Sequence, residues 1–290
     1  MIKHRDNSTK YVLLLMLATI FNATNGIWVR LSEIGPIGTA MWRAALALPI
    51  LYFLGRDGLK GASVKDILVM LGAGVFLGGE LVFFNMALVR TSNANCSLLA
   101  NLTVFTIVPI SYFVFKEKIP KKFFLGAAVT LIGVVVLVLG KSVPTQTSYT
   151  GDLFALIASV GYGLYIVIGY KLRDKYPSST IMFVATFTML AVLVVASAVF
   201  EGLAVPTTWR SIWPILGYTL CLQVIGLNLC AHCNGHLSVN LSAIVSLFQP
   251  VAAGILAYIV FGEQLSWMEI AGMLIVIVGV YVTKREYKSE

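Results

Sequence analysis

A chain of 290 residues that is 58% hydrophobic and only 12% charged is not an ordinary soluble protein, because soluble domains carry about a quarter charged residues. No water-facing surface absorbs so much apolar content without large sticky patches, and the mean hydropathy of +0.88 points to the bilayer as solvent. The net charge of +8 does not signal nucleic-acid binding, since the Lys and Arg sit in short clusters between apolar runs, where they meet lipid headgroups and orient the chain.

A hydrocarbon core about 30 Å thick needs about 20 apolar residues per helix. The first such run, 11–29, is long enough to span and is followed by no small-residue cleavage site, so it reads as a helix rather than a signal peptide. Spans are predicted at 11–30, 36–55, 67–88, 92–115, 122–140, 151–170, 178–200, 211–231, 237–261 and 266–283. The longest connection, 141–150, is polar and carries Pro144. It divides one membrane unit into residues 1–143 and 150–285, with five spans in each. Cys96, Cys221, Cys230 and Cys233 all lie in or beside apolar runs, which argues against a disulfide framework.

With the N-terminus placed inside, 16 Lys and Arg fall on that side. Only Arg30, Arg90, Lys141 and Arg210 fall on the other, and Arg43 lies within a span. That bias predicts both termini in the cytoplasm and an even number of spans. The halves also repeat. Phe115, Lys116, Glu117, Lys118 and Ile119 precede Gly126 and Gly133; Phe261, Gly262, Glu263, Gln264 and Leu265 precede Gly272 and Gly279. One shift of 146 residues aligns Glu117 with Glu263 and both glycine pairs. An odd number of spans per half inserts the second half upside down, which is a transporter architecture. The loop glutamates read as caps for the following helix or as neighbours that neutralise Lys.

On these residues the chain resembles the drug/metabolite transporter superfamily, in particular its EamA-type members with ten spans in two five-helix repeats. Met41, Trp42 and Arg43 at the start of span 2, Ala87 and Leu88 followed by Thr91 and Ser92 before span 4, and Pro250 also carry the resemblance. The first half departs from it: Val104 stands at the position matching Pro250, and the proline is Pro109. The resemblance implies an all-α integral membrane fold of ten transmembrane helices in two inverted five-helix repeats. It further implies transport of small metabolites by a protein that is not an enzyme, and a bacterial inner (cytoplasmic) membrane.

Polar groups inside spans must face one another or a cavity. Two full charges qualify, Arg43 in span 2 and Glu80 in span 3. Buried charges usually pair, so one reading is an Arg43–Glu80 ion pair that fixes helix packing. The other is a cavity-facing Glu80 that binds a proton or an ammonium group, with Phe76, Phe83 and Phe84 a turn away on the same face. Further polar stripes are Asn22 and Asn25 with Trp28; Ser97 and Asn101; Tyr162 and Tyr165; Gln223 and Asn228; and Ser242, Ser246 and Gln249. The predicted substrate-binding set is Glu80, Arg43, Asn22, Asn25, Trp28, Phe84, Asn101, Tyr162, Tyr165, Gln223 and Gln249. Gly74 and Gly78 suit close helix approach, Gly78 and Gly79 a bend at Glu80, and Pro109 and Pro250 gating kinks. Cys230, His232, Cys233 and His236 have metal-ligand chemistry, but their spacing matches no standard zinc pattern. They read instead as groups at the membrane edge.

The expected function is gradient-driven, alternating-access transport of a small polar metabolite, an amino acid or amine. The alternatives are a larger or anionic metabolite held by Arg43, or a non-transporting intramembrane receptor or enzyme. No cofactor is expected and no nucleotide-binding loop is present. The partners this reading allows are a small-molecule substrate, protons, the lipid bilayer and a second copy of the chain in a homodimer. Single cysteines at Lys60, Lys121 and Lys175, in a background lacking native cysteines, are expected to label only from the cytoplasm, and one at Thr147 only from outside. Labelling of Lys121 and Thr147 from the same side contradicts the inverted repeat.

Overall fold

The structure is a computed structural model that describes residues 8–88, 90, 91, 96, 99–116, 121–140, 148–262 and 264–288. Ser92, Ser97, Glu117, Lys118, Ile119, Lys141, Pro144, Thr147 and Glu263, named above, lie outside the described residues. Among the described residues all regular structure is helical, and nine helices are long and apolar enough to cross a membrane. The shorter apolar helix Thr103–Val114 lies within the remaining predicted span, 92–115.

In chain order the helices are α1 (Ser8–Ala23), α2 (Asn25–Leu31), α3 (Pro36–Gly55), α4 (Val64–Leu88), α5 (Thr103–Phe115), α6 (Lys121–Gly140), α7 (Tyr149–Leu172), α8 (Ser178–Phe200), α9 (Trp209–Tyr218), α10 (Asn228–Asn234), α11 (Val239–Ser246), α12 (Gln249–Phe261) and α13 (Trp267–Lys288). A π-helical segment, Thr219–Leu227, joins α9 to α10 within one span.

The repeat is visible in detail. α5 and α12 are both 13 residues long and stand 146 residues apart. Each follows a two-residue turn, Asn101 with Leu102 in one half and Leu247 with Phe248 in the other. Each ends on a left-handed residue, Lys116 at φ 52° and Gly262 at φ 67°. Glycine adopts that conformation freely; Lys116 adopts it to close the helix, its N–H donating back to the Ser111 carbonyl. The helix breaks therefore sit at these turns and not at the prolines. Pro250 occupies the first turn of α12, where a missing N–H costs nothing, and α5 continues through Pro109.

Equivalent helices α6 and α13 pack on each other through the repeated glycines. Gly126 faces Thr283, Gly133 faces Val276 and Gly140 faces Glu269, while in the reciprocal sense Gly272 faces Leu137 and Gly279 faces Thr130. Residue numbers rise on one helix as they fall on the other, so two equivalent helices run antiparallel. That requires a pseudo-twofold axis in the membrane plane, which is the inverted repeat. The N-terminus of α13 closes with a reciprocal cap: Ser266 N–H donates to Glu269 Oε2 at 2.8 Å, and Glu269 N–H donates to Ser266 Oγ at 3.1 Å.

α3 and α8 are tied at both ends. The Glu201 carboxylate, just past α8, accepts from Ile37 N–H at 3.0 Å and Gly38 N–H at 2.8 Å, which places negative charge at the positive end of α3. At the other end, Thr180 Oγ1 donates to the Gly55 carbonyl at 2.7 Å. Trp42 Nε1 donates to the Ala204 carbonyl at 2.9 Å, so the tryptophan beside Arg43 anchors the helix rather than the site. Gly74 and Gly78 let α4 approach α8, facing Ala185 and Thr188, and Met189 and Val192. α4 runs unbroken past Gly78 and Gly79. Gly78 is taken up by this packing and the helical ladder stays intact through it.

A side chain at Gly133 would meet the Val276 backbone nitrogen at 2.6 Å, whereas one at Gly72 would meet nothing within 4 Å. Gly133→Leu is therefore expected to cost ~1–3 kcal/mol by overpacking, seen as a lower melting temperature and less monodisperse protein. Gly72→Leu is the control, and equal losses from the two contradict this packing.

Candidate functional site

A cavity of about 240 Å³ is lined by residues of both repeats. α1, α2, α3, α4 and α5 contribute from the first half, and α7, the π segment, α11 and α12 from the second. The two interrupted spans meet here. Asn101 and Thr103 stand at the first break, and Leu247, Gln249 and Pro250 at the second. Both half-helices α5 and α12 thus begin at the cavity, bringing the positive ends of two helix dipoles to it.

The two intramembrane charges both line this cavity. Among the described residues no ion pair joins Arg43 and Glu80, which corrects the reading of the two as a packing salt bridge. The reason is local. The Arg43 guanidinium lies over the Tyr218 ring, 4.6 Å from its centroid, and the Tyr218 hydroxyl donates to Asn25 Oδ1. This platform holds the guanidinium by cation–π attraction. Arg43 is 1% exposed, and its Nε and Nη2 are buried with no hydrogen-bond partner. Glu80 stands on α4 against the backbone of α7 at Gly161, and remains within electrostatic reach of Arg43.

The cavity brings together Asn22, Asn25, Arg43, Glu80, Phe84, Asn101, Tyr162 and Gln249. Asn22 Oδ1 is buried without a partner. Three predicted residues stand elsewhere. Trp28 donates from Nε1 to Thr24 Oγ1 at 2.9 Å and meets Trp213 edge-on at 6.1 Å, because α2 turns away after the interruption at Thr24. Gln223 is fully buried and donates to Thr186 Oγ1 at 2.9 Å, since the π segment turns it toward α8. Tyr165 donates to Met182 Sδ at 2.9 Å and borders a separate small cavity of about 30 Å³.

The aromatic cluster expected around Glu80 reduces to Phe84. Phe76 is exposed at 38%, and Phe83 packs on Phe154 with centroids 5.8 Å apart. Ser246 lines the cavity, while Ser242 is buried away from it with Oγ unpartnered; Asn228 is likewise outside the lining, its Oδ1 buried without a partner. Sequence reasoning missed Thr103 and Ser159. Ser159 stands three residues before Tyr162, a spacing that marks a shared helix face. It also missed Tyr218 and the apolar lining of Leu77, Ile107, Leu222 and Leu227, for which an apolar span carries no distinguishing signal.

The Cys/His cluster divides. Cys230 and Cys233 are buried in the core. His236 stacks on Tyr11 at 4.0 Å between centroids, with His232 4.8 Å from His236. Among the described residues no group of three or more His, Cys, Asp or Glu could hold a metal ion.

Ten apolar helices, an inverted repeat and a polar cavity at its interface define a polytopic membrane transporter. The chain belongs to the EamA-like transporter family, whose model matches it twice, over residues 9–139 and 149–285. It is 26% identical over 253 residues to an uncharacterized transporter, YetK, of Bacillus subtilis, covering 83% of this chain and 74% of the relative. It is 23% identical to a probable amino-acid metabolite efflux pump of Salmonella typhimurium, covering 88% of each chain. It is 24% identical to the pseudopaline exporter CntI of Pseudomonas aeruginosa, covering 96% of this chain and 97% of the relative. A solved crystal structure shares the fold with a TM-score of 0.76 at 19% identity, covering 94% of this chain and 96% of the other.

Proposed function

We propose that the protein is a secondary active transporter that moves a small polar metabolite, an amino acid or amine, across the cytoplasmic membrane by alternating access, driven by an ion or substrate gradient. The observation that carries this reading is the cavity itself. It lies between the repeats, it is lined from both, and it holds one acid and one base that no described residue pairs. A carboxylate at mid-helix costs ~2.5–3.5 kcal/mol to insert, an expense without structural return where no partner compensates it. The volume, below the ~300–1,000 Å³ of drug-sized sites, suits a compact solute. The names of the Salmonella and Pseudomonas relatives favour the same class.

The breaks in the spans containing α5 and α12 supply pivots on opposite sides of the site. Tyr162, Ile166 and Leu227 border both the main cavity and the small one beyond it. They form the thin wall through which the solute passes toward the side that carries both termini, which the Lys and Arg distribution assigns to the cytoplasm.

In proteoliposomes preloaded with an unlabelled amino-acid mixture, exchange of external labelled amino acids is the direct assay. Glu80→Gln, Asn101→Ala and Gln249→Ala are each expected to slow exchange about tenfold or more, equivalent to ~1.4 kcal/mol, with the melting temperature held. Phe83→Leu, at a position that packs on Phe154 outside both cavities, is expected to retain exchange. Wild-type exchange in all three cavity variants would mean that the polar stripes serve packing alone.

A further inference from the structure

The strongest unexplained feature of the molecule is one edge of the Arg43 side chain. Its two orphaned atoms are Nε and Nη2, the pair whose N–H groups lie parallel on one side of the guanidinium. That edge matches the two oxygens of a carboxylate in a bidentate contact, the geometry for which arginine is preferred over lysine. Tyr218 covers the face of the guanidinium at 4.6 Å and the Tyr218–Asn25 hydrogen bond fixes that ring, so the plane is oriented while the edge stays unmet. An unmet buried charge is costly, and a fold retains one where a ligand completes it. The half-helix N-termini at Thr103 and Gln249 add positive potential to the same cavity. Glu80 is the one carboxyl group among the described residues of the same lining.

We infer that the ligand of this cavity is a zwitterion, with its carboxylate seated on the Nε–Nη2 edge of Arg43 and its ammonium group held at Glu80 beside Phe84. The inference rests on the transport reading above and narrows it to amino acids, to the exclusion of amines. Neither charge of the ligand is left without a partner, and neither charge of the protein remains exposed to hydrocarbon once the site is filled. A simple amine satisfies Glu80 but leaves the arginine edge unmet. A simple carboxylate does the reverse. Both lose the half of the interaction that makes the other half affordable at low dielectric.

The test uses the full chain in detergent and a panel of L-amino acids, each paired with its decarboxylated amine and its carboxamide, read by thermal shift. At least one amino acid is expected to raise the melting temperature, with its amine and carboxamide roughly 10- to 100-fold weaker, the scale of a lost charged hydrogen bond. Arg43→Met is expected to abolish that shift without lowering the ligand-free melting temperature, because it removes an unpartnered buried charge. Arg43→Lys, which keeps the charge and loses the parallel edge, is expected to bind more weakly than wild type. A ligand-free melting temperature that falls in Arg43→Met identifies the arginine as structural and overturns the inference. Equal binding of an amine or carboxamide overturns the carboxylate seat but leaves the transport reading standing. Binding of simple carboxylates as tight as that of amino acids overturns the role of Glu80. No response to any amino acid or amine overturns both the inference and the amino acid or amine reading.

Discussion

Hydrocarbon offers no hydrogen-bond partner, so a chain can leave the helical ladder inside a membrane only where protein or a wet cavity takes over. This chain leaves it in matching places in the two halves, at Asn101 and Leu102 and again at Leu247 and Phe248. Both breaks adjoin the cavity. Once the breaks are required to meet at one cavity, much of the remaining architecture follows. The repeats must be inverted for α5 and α12 to start there from opposite directions. α6 and α13 must then run antiparallel, and their glycines set how closely they approach. The packing of α3 and α8, closed by Glu201 at one end and Thr180 at the other, builds the second wall of the same frame.

Within that frame the balance of charge is unusual. Several polar groups outside the cavity are paired within the protein. Ser111 donates to Asn240 at 3.0 Å, Thr103 Oγ1 donates to the Ala100 carbonyl at 2.8 Å, and Thr91 donates to Asp152 at 2.6 Å. In the cavity the unmet groups include a full charge. Arg43 keeps two unmet donors and Asn22 an unmet acceptor, and Glu80 makes no hydrogen bond or ion pair with a described residue. A site satisfied by its own residues would gain nothing by binding a solute, and binding energy is what shifts one conformation toward the other.

The fold was legible in the sequence because membrane insertion depends on long-range averages. Span length, Lys and Arg clustering and the glycine pairs at 126, 133, 272 and 279 survive summation over many residues. The helix breaks were harder to place. Pro109 and Pro250 carry the usual signal for a kink, yet the interruption falls at turns of ordinary residues, because the cavity opposite them, not the local sequence, decides where the ladder opens. The site was partly legible. Seven polar residues of apolar spans, with Phe84, were named from the sequence and line the cavity. Trp28, Tyr165 and Gln223 lie outside that lining, bonded instead to Thr24, Met182 and Thr186. Tyr218 was invisible, since an aromatic that supports a guanidinium looks the same in sequence as one that faces lipid.

The central claim is that Arg43 and Glu80 serve a bound solute rather than each other, and the double variant Arg43→Met with Glu80→Gln measures this most directly. Reconstituted beside the wild type and assayed for exchange of labelled amino acids, it is expected to be folded, as stable as the wild type, and inactive. Normal exchange in the double variant, alongside destabilised single variants, would show that the two charges existed only to neutralise one another and would contradict the account.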